Sequence, residues 1–120
     1  MIAIIDYRAG NLTSVQLAFD ALGVPAFVTS GAAAVRAAER VVFPGVGAAG
    51  SAMRNLADLG LTATLREVIA AGTPFLGICV GTQILFEFSE EDGGTPALGI
   101  LPGTVRRFRP AYSRDKVPHM

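Results

Sequence analysis

Apolar runs of strand length alternate along the chain with stretches of helical spacing. Residues 2–5 (Ile-Ala-Ile-Ile) form an unbroken apolar run ending at Asp6, the pattern of a parallel strand buried on both faces. Residues 7–10 read as a loop. Asn11 is placed to cap a helix over residues 13–22, with Val15, Ala18, Phe19 and Leu22 on one face. Gly23 stops that helix, and Pro25 leads into a second strand at residues 26–29. Ser30 is positioned to cap a short alanine-rich helix reaching residue 38. Residues 40–43 form the third strand and end at Pro44-Gly45-Val46-Gly47. Helical spacing resumes at residues 53–59 and 62–71, with a break near Gly60. Gly72 and Thr73 lead into a fourth strand, residues 74–76, and Cys79 opens the next helix. A polar loop covers residues 89–94, and residues 98–108 are strand-forming around Pro102 and Gly103.

Strand and helix signals that alternate in this way predict an α/β fold: a doubly wound, mostly parallel sheet with helices on both faces, of flavodoxin-like type. Such sheets bind ligands beyond the carboxyl ends of their strands. The polar or glycine-rich loops at residues 6–11, 44–47 and 77–83 all fall there.

Composition narrows the function class. The 120 residues suit a single domain or part of one, and at 51% hydrophobic and 17% charged they carry enough apolar surface for a packed core. Ten basic and ten acidic residues cancel, so net charge attracts neither nucleic acid nor an anionic membrane. No apolar run approaches the roughly 20 residues of a membrane helix. The N-terminus lacks the basic region and cleavage site of a secretory signal, which predicts a cytoplasmic protein. A single cysteine excludes an internal disulfide framework, and no cluster of histidine and cysteine is available to hold a metal. Neither a metal nor an organic cofactor is expected.

That one cysteine lies at the centre of Gly77-Ile78-Cys79-Val80-Gly81-Thr82-Gln83, directly after the fourth strand. Strand, sharp turn and helix with a glycine two residues to either side describe a nucleophile elbow, with sulfur in place of the hydrolase oxygen. The helix N-terminus that follows favours thiolate over thiol. A free cysteine is more often a small buried hydrophobe, and Ile78 and Val80 suit that reading too. Attack on an acyl group also needs backbone N–H donors for the oxyanion. The turn at Pro44-Gly45-Val46-Gly47 and the N–H of Val80 are placed to supply them; a tight strand-end turn without a ligand is the plainer alternative.

Taken together, these segments resemble the class I (triad) glutamine amidotransferases. The residues that carry the resemblance are Ile4-Ile5-Asp6-Tyr7 with Gly10-Asn11-Leu12, then Pro44-Gly45-Val46-Gly47 and the Cys79 elbow. Phe86-Glu87-Phe88-Ser89-Glu90-Glu91, Gly99-Ile100-Leu101-Pro102-Gly103 and Val117-Pro118-His119-Met120 follow in the family's order. The elbow is common to the family. The Gly-Asn-Leu loop and the Pro-Gly-Val-Gly turn resemble most closely its histidine-biosynthetic branch, the glutaminase subunits of imidazole glycerol phosphate synthases.

The resemblance implies a role for each residue. Cys79 attacks the side-chain amide of glutamine, forms a thioester and releases ammonia. Val80 with Gly45 or Val46 holds the oxyanion through backbone N–H groups. Gly47, Gln83 and Glu91 bind glutamine. Asn11 faces a partner, the cyclase subunit, a (β/α)₈ barrel that consumes the ammonia as half of a heterodimer. By composition alone, Gln83 is a solvated helix residue, Glu91 a loop charge and Asn11 a helix cap. The family's triad histidine and glutamate lie further downstream than residue 120, and His119 is not the triad histidine. The chain is therefore expected to be the N-terminal part of one amidotransferase domain and to be inactive alone. The alternatives are another class I amidotransferase, such as the glutaminase of pyridoxal phosphate synthesis, or a non-enzymatic flavodoxin-like binding module.

Overall fold

The computed structural model describes residues 1–108. His119 and the segment around it lie outside the described residues. The elements run β1 (Ile2–Ile5), α1 (Leu12–Ala21), β2 (Ala26–Thr29), α2 (Ala32–Ala37), β3 (Arg40–Phe43), α3 (Ala49–Asp58), α4 (Thr62–Ala70), β4 (Phe75–Gly77) and α5 (Val80–Gln83). Three two-residue strands follow: β5 (Phe88–Ser89), β6 (Thr95–Pro96) and β7 (Thr104–Val105), with a 3₁₀ turn at Glu91–Gly93 between the first two.

β1 to β4 form one parallel sheet in the order β2-β1-β3-β4. All four residues of β1 are buried, because a central parallel strand is covered on both faces. Alternation along the strands then divides the core. Ile2, Ile4 and Val42 point to one side, where Leu12, Val15 and Phe19 of α1 cover them. Ile5, Val41 and Phe43 point to the other and pack with Val35, Leu56, Leu65 and Val68 of α2, α3 and α4. Helices therefore lie on both faces, as the alternating pattern predicts.

The face of α1 differs from expectation. Val15 and Phe19 pack inward, but Ala18 is exposed and Leu22 is 73% exposed. The inward stripe is Leu12, Val15 and Phe19, spaced three and four residues apart. Leu22 continues the spacing of that stripe but is the C-cap residue, at the end of the helix, and lies in solvent there. Asn11 does cap α1, its side-chain oxygen accepting from the Ser14 N–H at 3.1 Å. Ser30 does not cap α2. Gly31 holds the N-cap position, with the Thr29 hydroxyl accepting from the Gly31 N–H at 3.0 Å. α3 starts earlier than its apolar spacing suggested, at Ala49.

Residues 98–108 are mostly not strand. The N–H groups of Leu98 and Ile100 donate to Ile84 and Leu85 carbonyls at the end of α5, and only Thr104–Val105 joins a ladder. β5 pairs antiparallel with β6 and parallel with β7, so the small second sheet is mixed.

Leu56 is fully buried in the larger core, whereas Leu22 lies in solvent. Leu56→Ala is expected to destabilise by about 2–5 kcal/mol in urea unfolding, and Leu22→Ala by less than about 0.5 kcal/mol. Equal losses would mean that α1 is rotated from the orientation described.

Candidate active site

The fourth strand delivers the chain to Cys79, whose backbone sits at φ 54°, ψ −116°. For a residue with a Cβ this is a strained conformation, of the kind that persists only where its surroundings over-determine it. Those surroundings are backbone. A Cβ on Gly77 would stand 2.5 Å from the Gly81 carbonyl oxygen, and one on Gly81 would stand 2.5 Å from the Phe43 carbonyl oxygen and 2.8 Å from its ring. The turn is thus folded onto itself and pressed against β3, closer than any side chain would allow. The Thr82 hydroxyl braces it by donating to the Gly77 carbonyl at 2.6 Å, and the Ile78 N–H donates to Phe43 at 3.0 Å. Cys79 itself is exposed, so the alternative of a buried packing cysteine fails.

The helix that Cys79 opens is one turn long, Val80–Gln83. Few peptide dipoles line up in so short a helix. What the elbow offers beside the sulfur is mainly the Val80 N–H, because those of Gly81, Thr82 and Gln83 donate to the Ile78 and Cys79 carbonyls.

The turn after β3 meets this elbow directly. A Cβ on Gly45 would overlap the Ile78 carbonyl oxygen and lie 2.7 Å from the Val80 nitrogen. Two of the expected oxyanion residues, Gly45 and Val80, are therefore in backbone contact. Val46 is arranged otherwise: its N–H is donated to the Tyr7 hydroxyl at 3.1 Å, so that this N–H is occupied. Gly47 is exposed at φ +92°. Tyr7 has no role predicted from the sequence, although an aromatic residue two positions past a strand end is the signal that could have marked it. Burial raises its phenol pKa above the ordinary value, the bond to Val46 acts in the opposite direction, and the nearby Cys79 charge adds to the rise.

Gln83 and Glu91 come together on a cleft of about 450 Å³, with Asp92, Arg106, Arg107 and Phe108 among its other walls. Glu91 is held by its backbone: its N–H donates to the Ser89 hydroxyl at 3.2 Å, and its carbonyl accepts from Thr95 Oγ1 at 3.2 Å. Asp92 beside it takes a left-handed conformation, φ 54°, and its carboxylate lies over Gly50 of α3. Asn11 is exposed at the start of α1. The described residues contain no group of three or more acidic, histidine or cysteine side chains able to hold a metal ion. No helix among them is long and apolar enough to cross a membrane.

A strained cysteine elbow seated on a glycine turn is the arrangement that the amidotransferase resemblance anticipates. A model of the class-I glutamine amidotransferases matches residues 4–119. The chain belongs to that family. Among proteins similar to this amidotransferase chain is the imidazole glycerol phosphate synthase subunit HisH of Nitratidesulfovibrio vulgaris, 50% identical over 125 residues covering 100% of this chain and 58% of the relative. The subunit of the same name from Herpetosiphon aurantiacus is 55% identical over 108 residues, 90% of this chain and 51% of its own. That from Moorella thermoacetica is 52% identical over 119 residues, 99% and 55%. The chain thus spans between 51% and 58% of the length of these relatives. A crystal structure of a glutamine amidotransferase superposes with a TM-score of 0.75 over 89% of this chain and 57% of that one, at 19% identity, and shows the fold.

Gly81→Ala tests the elbow's packing. Its Cβ would meet the Phe43 carbonyl and ring, neither of which is a flexible chain end. The expected outcome is a loss of about 3 kcal/mol or more in stability. A variant that melts like the unsubstituted chain would mean that Gly81 does not press on β3.

Proposed function

We propose that this chain is the nucleophile-bearing part of a glutaminase that supplies ammonia to an imidazole glycerol phosphate synthase. One observation carries the reading: an exposed thiol on a strained elbow whose backbone is in contact with the Gly45 turn. The similarity to the three relatives supports the assignment to histidine biosynthesis.

In this reading the Cys79 sulfur attacks the side-chain carbonyl carbon of glutamine. The carbonyl electron pair moves onto oxygen, which the Val80 N–H and a donor of the 45–47 turn stabilise. Collapse of that intermediate expels the amide nitrogen, which takes up a proton and leaves as ammonia, and a thioester remains. Water then cleaves the thioester to glutamate and regenerates the thiol. Gln83 and Glu91 face the cleft from which the amino-acid end of glutamine is held; the Glu91 carboxylate suits an α-ammonium group. Proton transfer needs a general acid–base, and the described residues contain no histidine. A (β/α)₈-barrel cyclase receives the ammonia and forms imidazole glycerol phosphate. A reducing, cytoplasmic setting suits the lone exposed thiol.

The test is a chimaera in which this chain replaces the matching segment of the Nitratidesulfovibrio vulgaris subunit, assayed with its cyclase. Cys79→Ala is expected to abolish glutamine hydrolysis and leave ammonia-dependent synthesis intact, because free ammonia bypasses the thioester. Persisting glutaminase activity would refute the assignment. The 120-residue chain alone, with or without the cyclase, is expected to hydrolyse glutamine negligibly.

Asn11 carries two separable roles, the observed cap and a proposed partner contact. Asn11→Ser keeps a capping oxygen and is expected to keep stability, whereas Asn11→Ala costs about 1 kcal/mol. An interface role predicts weaker cyclase association or stimulation in both variants of the chimaera. Unchanged association in Asn11→Ser would leave Asn11 as a cap only.

A further inference from the structure

Three consecutive residues of the acidic loop beside the cleft take positive φ: Asp92 at 54°, Gly93 at 75° and Gly94 at 108°. Glycine adopts such angles without steric cost, whereas a residue with a Cβ is strained there. Backbone shape alone would therefore be met by a third glycine at position 92. The chain carries an aspartate instead, and that side chain has a matching seat. A Cβ on Gly50 would stand 2.5 Å from Asp92 Oδ2 and 3.2 Å from its Cβ and Cγ, so any larger residue at position 50 would displace the aspartate. Gly50 is buried in the first turn of α3, where alanine would favour the helix more than glycine does. Two locally unfavourable choices thus fit one another. The seat also suits the charge. α3 has no side-chain bond at its N-cap, Ala48, and no acidic residue in its first turn, so Asp92 brings a carboxylate to a helix start that favours one.

Glu91 is the residue directly before Asp92, and its turn is closed on itself. The Glu91 carbonyl accepts from the Gly94 N–H at 2.9 Å as well as from Thr95, and a Cβ on Gly94 would stand 2.8 Å from the Phe88 ring. A turn stiffened in this way moves as a unit, so where it docks decides where Glu91 stands. It meets α3, the helix that follows the Gly45–Gly47 turn, at Asp92 on Gly50. We propose that Asp92 is a positioning residue for glutamine binding: seated on Gly50, its side chain docks the turn on α3 and thereby holds Glu91 at the cleft it shares with Gln83. Asp92 acts through Glu91 and needs no contact with glutamine.

The inference rests on the glutaminase reading, and the test separates the two. Steady-state glutamine hydrolysis is measured in the chimaera with the Nitratidesulfovibrio vulgaris subunit, bound to its cyclase. Asp92→Gly keeps the left-handed backbone and removes the carboxylate. Gly50→Ala keeps the aspartate and fills its seat, from a position that does not line the cleft. A turn seated only about one fifth of the time weakens apparent binding about fivefold, while saturating glutamine still selects the seated form. Each variant is therefore expected to raise KM about fivefold and to leave kcat within about twofold. The double variant is expected to match either single one, because both break the same contact. An unchanged KM in both single variants overturns the role. A rise in Asp92→Gly that Gly50→Ala does not reproduce also overturns it, since Asp92 would then act on glutamine directly. So does a fall in kcat with KM unchanged and a lower melting temperature, the mark of a merely structural contact. A folded, cyclase-bound chimaera without these substitutions that hydrolyses no glutamine overturns the glutaminase reading itself, and this role with it.

Discussion

Backbone lies on backbone where the fourth strand turns, and the rest of the site depends on that contact. Gly81 sits against the Phe43 carbonyl, Gly77 against Gly81, and Gly45 against Ile78 and Val80. At each place a methyl group would collide with main chain, which has nowhere to go. These three exclusions bring the end of β3 and the start of α5 to within atomic contact. They also hold Cys79 in a conformation that it would not adopt alone. The strain of the thiol's backbone is supported by close packing at the neighbouring glycines Gly77, Gly81 and Gly45.

Around this junction the larger core supplies stiffness. Phe43 belongs to β3, stacks on Tyr7 and takes the close approach of Gly81. One side chain thus links three loops at the carboxyl end of the sheet: the one after β1, the one after β3 and the elbow. Arg8 adds an outer tie. It stands in a left-handed conformation, φ 68°, and its guanidinium pairs with Asp58 at the end of α3 at 3.4 Å, an exposed contact of small energetic weight.

The large elements were legible because each had a length or a spacing to read. β1 and β3 announced themselves as short apolar runs, and Gly23 and Gly60 stopped their helices as expected, both at positive φ. The elbow was legible because a pair of glycines two residues from a cysteine has a steric meaning. The small sheet was not, since two-residue strands have no period and Phe88–Ser89, Thr95–Pro96 and Thr104–Val105 pair only through tertiary context. The α1 face was misjudged at Ala18 and Leu22 because apolar character does not tell which side of a helix finds a neighbour. The bond between Tyr7 and Val46 spans 39 positions of sequence, and no local pattern encodes it.

The strand that leads to Cys79 is also, among the described residues, an outer strand of its sheet. Among the described residues β4 pairs with β3 alone, and Leu76 within it is 54% exposed. Such a margin offers unpaired ladder groups to any other extended chain. Here the offer is small. β4 is three residues long, Pro74 ahead of it has no N–H to donate, and after Gly77 the backbone leaves the extended conformation at Cys79. The brevity that lets the chain turn so sharply at the thiol also leaves only a short template for pairing at this margin.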